Sequence, residues 1–118
     1  MARVHVNGPL RARDFERITA TTASVGFTAA KMDKEVTVND PFSRIRRVAE
    51  VVITVETADI RWTCDGTTPT TTATTAIGHL AQAGDDIVLT GYDNIKAFRC
   101  INAVASSGSA LSVTFFFE

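Results

Sequence analysis

The sequence predicts an all-β fold: an antiparallel β-sandwich of jelly-roll type with an extended N-terminal arm and a long threonine-rich loop. β-Branched and aromatic residues dominate, apolar and polar residues alternate with a period of two, and turn signals separate the alternating segments. A chain of 118 residues, 45% of them hydrophobic, suffices for one core but not two. We therefore assign residues 1–15 to the arm and residues 16–118 to a single sandwich domain.

Eight short strands are expected, because helix signals are weak along the chain. Only residues 11–18 favour a helical turn, with Asp14 as its cap. The strands are expected near residues 16–22, 25–30, 34–38, 47–57, 59–64, 86–90, 95–102 and 110–117. Short strands with turns between them are typical of a sandwich.

The segment from residue 47 to residue 64 carries the clearest strand pattern. Val51, Ile53 and Val55 occupy every second position, which makes one face of their strand apolar. Trp62 lies in the middle of the next strand, where we expect a core anchor rather than a ligand platform. The predicted shared core comprises Ile53, Val55, Ile60, Trp62, Leu89, Phe98, Leu111, Val113 and Phe115.

Three consecutive phenylalanines near the C-terminal end alternate between the faces of the last strand. With Phe115 and Phe117 turned inward, Phe116 faces outward and needs a neighbour. A small sandwich on its own also leaves its sheet edges open. We therefore expect a homo-oligomer, a trimer rather than a dimer, with Phe116 in its interface.

A threonine-rich loop follows the turn at Asp65-Gly66 and has no apolar periodicity. Seven of the nine residues from Thr67 to Thr75 are threonine. Such a loop either extends along the sheet edge of a neighbouring subunit or is a solvated, mobile loop. We expect the first. Its interface residues would be Thr67, Thr68, Thr70, Thr71 and Thr72.

Charge is divided unevenly along the chain, whose net charge is −1. Residues 1–47 hold nine basic and five acidic residues, whereas residues 48–118 hold three basic and eight acidic ones. Either the basic end meets an acidic partner surface, or the two halves mix in the fold and their charges average out. The arginines expected at an interface are Arg3, Arg11, Arg13 and Arg17. Only one aromatic residue accompanies them, so no nucleic-acid site is expected.

The two cysteines, Cys64 and Cys100, are too far apart for a C-x-x-C metal or redox motif. Alternation places both on inward faces, where a free cysteine acts as a small apolar residue. Their strands can be neighbours, so a disulfide is geometrically conceivable. In a protein made in the cytoplasm, two buried thiols are favoured.

No catalytic, metal or cofactor site is expected. The only histidines are His5 and His79, no H-x-H ligand pair exists, and one histidine beside two turn carboxylates is a weak ligand set. A phosphate-binding glycine loop and a G-x-S-x-G elbow are missing as well. The sequence also has no signal-peptide pattern and no apolar run near the ~18 residues of a membrane span. We expect a soluble protein that is not an enzyme and does not bind membranes.

Several short motifs follow one another between residues 46 and 117. They are Asp65-Gly66-Thr67-Thr68-Pro69-Thr70, Gly78-His79-Leu80, Ala83-Gly84-Asp85, Phe98-Arg99 and a final strand rich in Val, Thr and Phe. In this order they resemble small virion structural proteins of tailed bacteriophages. The resemblance implies a head or neck component of a virion, made in the host cytoplasm. The threonine-rich loop is longer here than in those proteins, and cysteines replace small apolar residues.

Two hypotheses of different classes follow from these observations. The first is a capsid decoration or cement protein that binds the major capsid protein, or another virion protein, and stabilises the shell. The alternative is a neck, tail or fibre-associated sandwich that binds carbohydrate or protein. Sugar sites present exposed aromatic rings, and alternation leaves only Tyr92 as an exposed ring. The sequence therefore favours the structural role.

Overall fold

The structure, a computed structural model, describes residues 10–36, 44–71, 75–104 and 108–117. Within these residues the chain forms nine strands and two short helices. The strands are β1 (Arg11–Ala20), β2 (Asp33–Val36), β3 (Arg44–Arg47), β4 (Glu50–Val55), β5 (Ile60–Thr63), β6 (His79–Ala81), β7 (Asp86–Thr90), β8 (Arg99–Asn102) and β9 (Ser109–Phe117), and the helices are α1 (Ala29–Met32) and α2 (Tyr92–Lys96). All the strand pairs are antiparallel, so the predicted all-β class is confirmed.

A four-stranded sheet in the order β1-β9-β4-β7 forms one layer of the molecule. Its inner face is built by apolar residues at every second position of β9 and β4. These residues are Leu111, Val113 and Phe115, which lie opposite Val55, Ile53 and Val51. All six are fully buried, and burial of such a side chain contributes about 1.5–3 kcal/mol.

The other layer is a three-stranded sheet in the order β6-β5-β8, and a separate hairpin pairs β2 with β3. Two of the connections between these sheets are short turns, residues 56–59 and residues 82–85. In the second turn the N–H of Gly84 donates to the carbonyl oxygen of Val55 at 2.7 Å. Gly84 has a φ of +95°, which residues with a β-carbon rarely adopt, so glycine is needed where this turn closes on β4.

One hydrophobic core draws its members from both sheets, with Val51 and Phe115 from the larger sheet and Ile60 from the smaller one. All the predicted core residues are buried except Trp62. Trp62 is half-buried and packs on the border of the core, where its ring stacks on Phe98 at a centroid distance of 6.1 Å. The core prediction is therefore confirmed apart from the depth of Trp62.

Residues 21–28 close the side of the core between β1 and β8. Backbone bonds join Val25 and Cys100 in both directions, at 3.0 and 2.9 Å. The N–H of Asn102 donates to the carbonyl oxygen of Thr21 at 3.0 Å. The outer edge of β8 is thus paired within the chain, which removes one strand edge that would otherwise be open.

The same segment inserts an aromatic side chain into the core. Phe27 stacks on Phe98 at 4.7 Å and meets Phe115 edge-on at 5.4 Å, both measured between ring centroids. Such pairs contribute about 0.5–1.5 kcal/mol beyond the area that they bury. A β-carbon at Gly26 would lie 2.8 Å from the carbonyl oxygen of Phe98, so the close approach requires glycine.

Several sequence-based assignments of elements need correction. The strand expected at 25–30 is wrong, because this segment forms a single bridge at Val25 and then enters α1. The sequence does not predict β6 or α2, since three strand residues or one helical turn carry too little periodicity. β1 begins at Arg11, so residues 11–15 pair with β9 instead of forming an arm, and the helical turn expected at residues 11–18 is wrong because these residues form a strand. The rest of the predicted arm, residues 1–9, lies outside the described residues.

Phe116 faces outward as alternation predicts, but it is not open to a neighbouring subunit as expected. Phe116 lies on the face of the sheet opposite the core, but only 6% of it is exposed. Its cross-strand neighbour Glu50 is 3% exposed. This end of the face is therefore covered within the chain. Alternation identifies the face on which a side chain lies, but not what covers that face.

Candidate interaction surface

The outer face of the four-stranded sheet, the face turned away from the core, carries two rows of residues that cross all four strands. Pairing across β1, β9, β4 and β7 aligns an apolar row consisting of Phe15, Thr114, Val52 and Val88. The neighbouring polar row consists of Arg17, Ser112, Thr54 and Asp86. Residues directly opposite one another in antiparallel strands share a face, so each row is continuous.

The polar row is held by hydrogen bonds and one ion pair. The hydroxyl of Thr54 donates to the carboxylate of Asp86 at 3.1 Å, and the hydroxyl of Ser112 donates to Glu56 at 2.6 Å. The guanidinium of Arg17 lies 2.8 Å from the carboxylate of Glu56. The Arg17 side chain is 57% exposed, so this ion pair contributes little to stability. The row ends in a cation on β1 and an anion on β7.

The apolar row ends in two exposed side chains. Phe15 on β1 is 53% exposed and Val88 on β7 is 43% exposed, whereas Val52 and Thr114 between them are half-buried. Among the strands that the structure describes, β1 and β7 are the two edges of this sheet. The exposed apolar residues therefore lie at both edges of one sheet, where a further strand can pair.

The backbone of β7 offers hydrogen-bonding groups on its outer edge. The N–H of Val55 donates to the carbonyl oxygen of Asp85, and the N–H of Gly91 donates to that of Ala49, each at 3.0 Å. Odd-numbered residues from 85 to 91 thus face β4. In an antiparallel ladder alternate residues face opposite ways, so Asp86 and Val88 turn their N–H and C=O groups outward.

Residues 64–78 join β5 to β6 and include both the Asp65-Gly66 turn and the threonine-rich loop; their described part contains no helix or strand and folds back on its own chain. The Thr63 hydroxyl donates to the carbonyl oxygen of Thr67 at 2.5 Å. Thr70 and Ile77 exchange two bonds, from the Thr70 N–H to the Ile77 carbonyl oxygen at 3.0 Å and from the Ile77 N–H to the Thr70 hydroxyl at 3.1 Å. Hydrogen bonds therefore hold the loop at Thr67, near its beginning, and between Thr70 and Ile77.

Asp65 and Pro69 fix the first half of the threonine-rich loop. The carboxylate of Asp65 accepts the N–H of Thr67 at 3.0 Å, and this bond holds the pKa of Asp65 below its ordinary value. Pro69 is buried. A β-carbon at Gly78 would lie 3.3 Å from that proline and 3.1 Å from the carbonyl oxygen of Trp62, so glycine lets the loop lie close to β5.

Two shallow clefts lie on either side of His79, whose ring is 5.0 Å from that of Trp62. One has a volume of about 400 Å³ and is lined by Thr63, Cys64, Asp65, Thr67, Ile77, Gly78 and His79. The other has a volume of about 320 Å³ and is lined by Trp62, His79, Leu80, Ala81, Asp85, Asp86 and Ile87. Two rings beside carboxylates form a mixed apolar and acidic surface.

The predicted interface residues fall into different parts of the structure. Arg11, Arg13 and Arg17 lie exposed on β1 of the four-stranded sheet. In the loop between two strands of the other sheet, Thr67 and Thr68 are exposed, and Thr70 and Thr71 are half-buried. Arg3 and Thr72 lie outside the described residues. The arginines and the threonines thus belong to different sheets.

Sequence reasoning misses three exposed apolar side chains: Ile77 and Leu80, which line the clefts, and Val88, on the outer face of the four-stranded sheet. A signal existed only for Val88, which alternates with the buried Ile87 and Leu89. Leu80 is half exposed because β6 is a three-residue edge strand, which alternation does not reveal. Tyr92, the one ring expected to be exposed, is half-buried beneath the guanidinium of Arg47, 4.7 Å from its centroid.

Both cysteines are free thiols. Cys100 is fully buried on the inner face of β8, and this burial raises the pKa of its thiol to about 12. Cys64 is half-buried at the rim of the larger cleft. Cys64 is therefore the accessible thiol of the two.

Within the part of the chain that the structure describes, no three His, Cys, Asp or Glu side chains come together to hold a metal ion. None of the helices there has the length and apolarity to span a membrane. Comparison with known proteins found no match for this chain among protein-family models, curated proteins or solved structures.

Proposed function

We propose that this protein is a non-enzymatic structural component of a tailed-phage virion, specifically a capsid decoration or cement protein. In this role it binds the major capsid protein, or another virion protein, and adds contacts across joints of the shell. The proposal includes a sandwich of jelly-roll connectivity, self-association with a trimer favoured over a dimer, and a location on the virion. The motif order between residues 46 and 117 supports the virion origin.

The observation that carries the proposal is the outer face of the four-stranded sheet. Its two edge strands each present an exposed apolar side chain, Phe15 and Val88. Proteins that act as monomers protect their sheet edges with charges, prolines or covering loops. β1 carries several charges, but β7 carries only Asp86, at its first residue, and no lysine or proline. Such a surface suits a protein that works inside an assembly.

Copy number tests the structural role most cheaply. Hundreds of copies per particle, measured by quantitative gel analysis of purified virions, are expected for a decoration protein. A dozen copies or fewer would assign the protein to the neck or tail. Absence from the purified virion would overturn the proposal.

Binding to undecorated shells tests the contribution of the arginines. Reversing the charge of Arg11 and Arg13 is expected to weaken attachment and to reduce its dependence on salt, since charged contacts are screened. The matched control is Lys96→Glu, a charge reversal at an exposed position of α2. Full-strength binding by the arginine variant would place the shell-binding surface elsewhere on the sandwich.

The alternative function, a neck, tail or fibre-associated binding module, is favoured by the clefts beside His79. Aromatic rings stack on sugar faces, and carboxylates accept bonds from sugar hydroxyls. Asp85 and Asp86 line the same cleft as the Trp62 ring. A glycan array with the wild type and with His79→Ala tests this alternative. Specific binding that the substitution removes would support the module over the decoration role.

A further inference from the structure

We propose that copies of this chain associate head to tail, with β7 of one copy pairing antiparallel with β1 of the next. The register places Val88 opposite the next copy's Phe15, and Asp86 opposite its Arg17. This inference rests on the self-association included in the proposed function, and on no part of its shell binding.

The strand directions allow this contact. The four strands of the sheet alternate in direction in the order β1-β9-β4-β7, so β7 runs opposite to β1. A second copy placed beside β7 in the same orientation therefore presents its β1 in the antiparallel sense. The sheet continues across the interface without a change of pattern.

The backbone groups that the contact needs point outward on both strands. Asp86 and Val88 face away from β4, as derived above. On the other edge, the N–H of Glu56 donates to the carbonyl oxygen of Ala110 at 2.9 Å, so even-numbered residues of β9 face β4. Odd-numbered residues of β9 then face β1 and bond Glu16 and Ile18, their partners in the ladder. The intervening residues of β1, Phe15 and Arg17, face outward.

The proposed register covers the exposed ends of the apolar row. Val88 and Phe15 lie on the same outer face and in the same row. Opposite one another they form an aromatic–β-branched pair, one of the cross-strand pairs that stabilise antiparallel sheets. The row then runs unbroken from one copy into the next.

The same register also pairs opposite charges. Asp86 precedes Val88 by two positions, and Arg17 follows Phe15 by two positions. Antiparallel pairing that places Val88 opposite Phe15 therefore also places Asp86 opposite Arg17. Arg17 keeps donors for Asp86 while it contacts Glu56, because a guanidinium carries five N–H groups. Pairing β7 with β7 of a second copy would leave both Phe15 and Arg17 unpaired. Apolar and charged contacts together favour the head-to-tail arrangement.

The free chain makes one bond that competes with assembly. The N–H of Phe15 donates to the carboxylate of its neighbour Asp14 at 2.8 Å. On assembly this N–H leaves Asp14 and donates to the carbonyl oxygen of Val88 in the other copy. A five-residue edge is also a small interface. We therefore expect association that depends on concentration in the micromolar range.

A charge swap on the isolated full-length chain tests both the contact and its register. Arg17→Asp and Asp86→Arg, each alone, place like charges opposite one another. Each is expected to weaken self-association, with a dissociation constant at least tenfold higher than that of the wild type in sedimentation velocity. The double variant restores the opposite-charge pair and is expected to recover most of the wild-type association. Asp93→Arg, the same charge change on exposed α2, should leave association unchanged.

Several results would overturn the contact. One is a wild type that is still monomeric at 100 μM, on the order of a hundredfold above weak micromolar affinities. Another is an Arg17→Asp chain that associates as strongly as the wild type. The third is a double variant that associates no more strongly than either single variant. Circular dichroism melts confirm that each variant is folded. Because no shell protein is present, failure here leaves shell binding intact, and failure of shell binding leaves this contact intact.

Discussion

The inner and outer faces of the four-stranded sheet differ in how much of their apolar surface is covered within one chain. On the inner face, Val51, Ile53 and Phe115 are fully buried, and Phe27, from residues 21–28, packs edge-on against Phe115. On the outer face, the apolar row ends in exposed side chains on both edge strands, and the polar row ends in the exposed Arg17 and the half-buried Asp86. The inner face is thus complete within one chain, whereas the outer face has the pattern of a sheet that continues.

This difference separates stability from assembly. Removing side chains from the inner face should unfold the protein, because folding leaves little free volume there. Removing side chains from the outer edges should leave the fold intact and change only what the protein associates with. The following predictions compare substitutions on the two sides.

The largest effect is expected from a pair of phenylalanines on opposite faces of the sheet. Phe115→Ala removes a fully buried ring and should destabilise the fold by about 3–5 kcal/mol. Phe15→Ala removes an exposed ring and should change stability by no more than about 0.5 kcal/mol. Urea unfolding of both variants checks this, and similar losses for the two would contradict the division between the faces.

A smaller loss is expected where residues 21–28 approach the core. In Gly26→Ala the new methyl group meets the carbonyl oxygen of Phe98, which should cost about 1–3 kcal/mol. Gly108→Ala is the matched control, since its β-carbon would lie 3.6 Å from the carbonyl oxygen of Ala20, an ordinary contact. Thermal melts of the two variants measure the difference. Equal melting temperatures would show that the closing segment moves freely.

The bonds of the threonine-rich loop predict a modest effect. Thr63→Val keeps the shape of a buried side chain but removes the hydroxyl that donates to Thr67, which should cost about 1 kcal/mol. The control is Thr68→Val, at an exposed position of the loop itself, which should change stability by less than about 0.5 kcal/mol. Limited proteolysis of the loop should be faster in the first variant only. Faster cleavage in both would mean that the bond does not hold the loop.

The two thiols should differ in reactivity with no change of the fold. At pH 8 iodoacetamide should modify Cys64 and leave Cys100 unmodified in the native protein, because burial keeps the Cys100 thiol protonated. The folded chain retains this proton where the unfolded chain releases it. Stability should therefore fall as the pH rises from about 9 towards about 12, the unperturbed and native pKa values. Mass spectrometry of alkylated peptides checks the first expectation, and equal modification of both thiols in the native state would contradict it.

The sequence predicts the inner face well and the outer face poorly, for a physical reason. Alternation at Ile53, Val55 and Leu111 reports which side chains avoid water, and these residues are buried as predicted. Exposure on the outer face depends on what lies over it. Phe116 and Val88 both lie there, yet the first is covered and the second is open. A pattern of period two cannot distinguish them.

The same limit applies to the candidate surface. Arg17 is predicted as an interface residue from its charge alone, but its alignment with Asp86 across four strands depends on the pairing of β1 with β9, of β9 with β4 and of β4 with β7. Such registers are contacts between residues distant in sequence, and local spacing does not encode them. The threonine-rich loop likewise reveals its anchoring bonds only in the fold.

Disulfide trapping tests the central claim, that the outer face continues into a second copy, most directly. In a Cys64→Ser background, Phe15→Cys and Val88→Cys are combined in one chain, since directly opposite residues have α-carbons about 5.5 Å apart, within disulfide reach. Mild oxidation is expected to give covalent oligomers that a reductant dissolves. Thr19→Cys with Val88→Cys, displaced along the strand by about 13 Å, should give none. Oligomers from the displaced pair, or none from the aligned pair, would contradict the account.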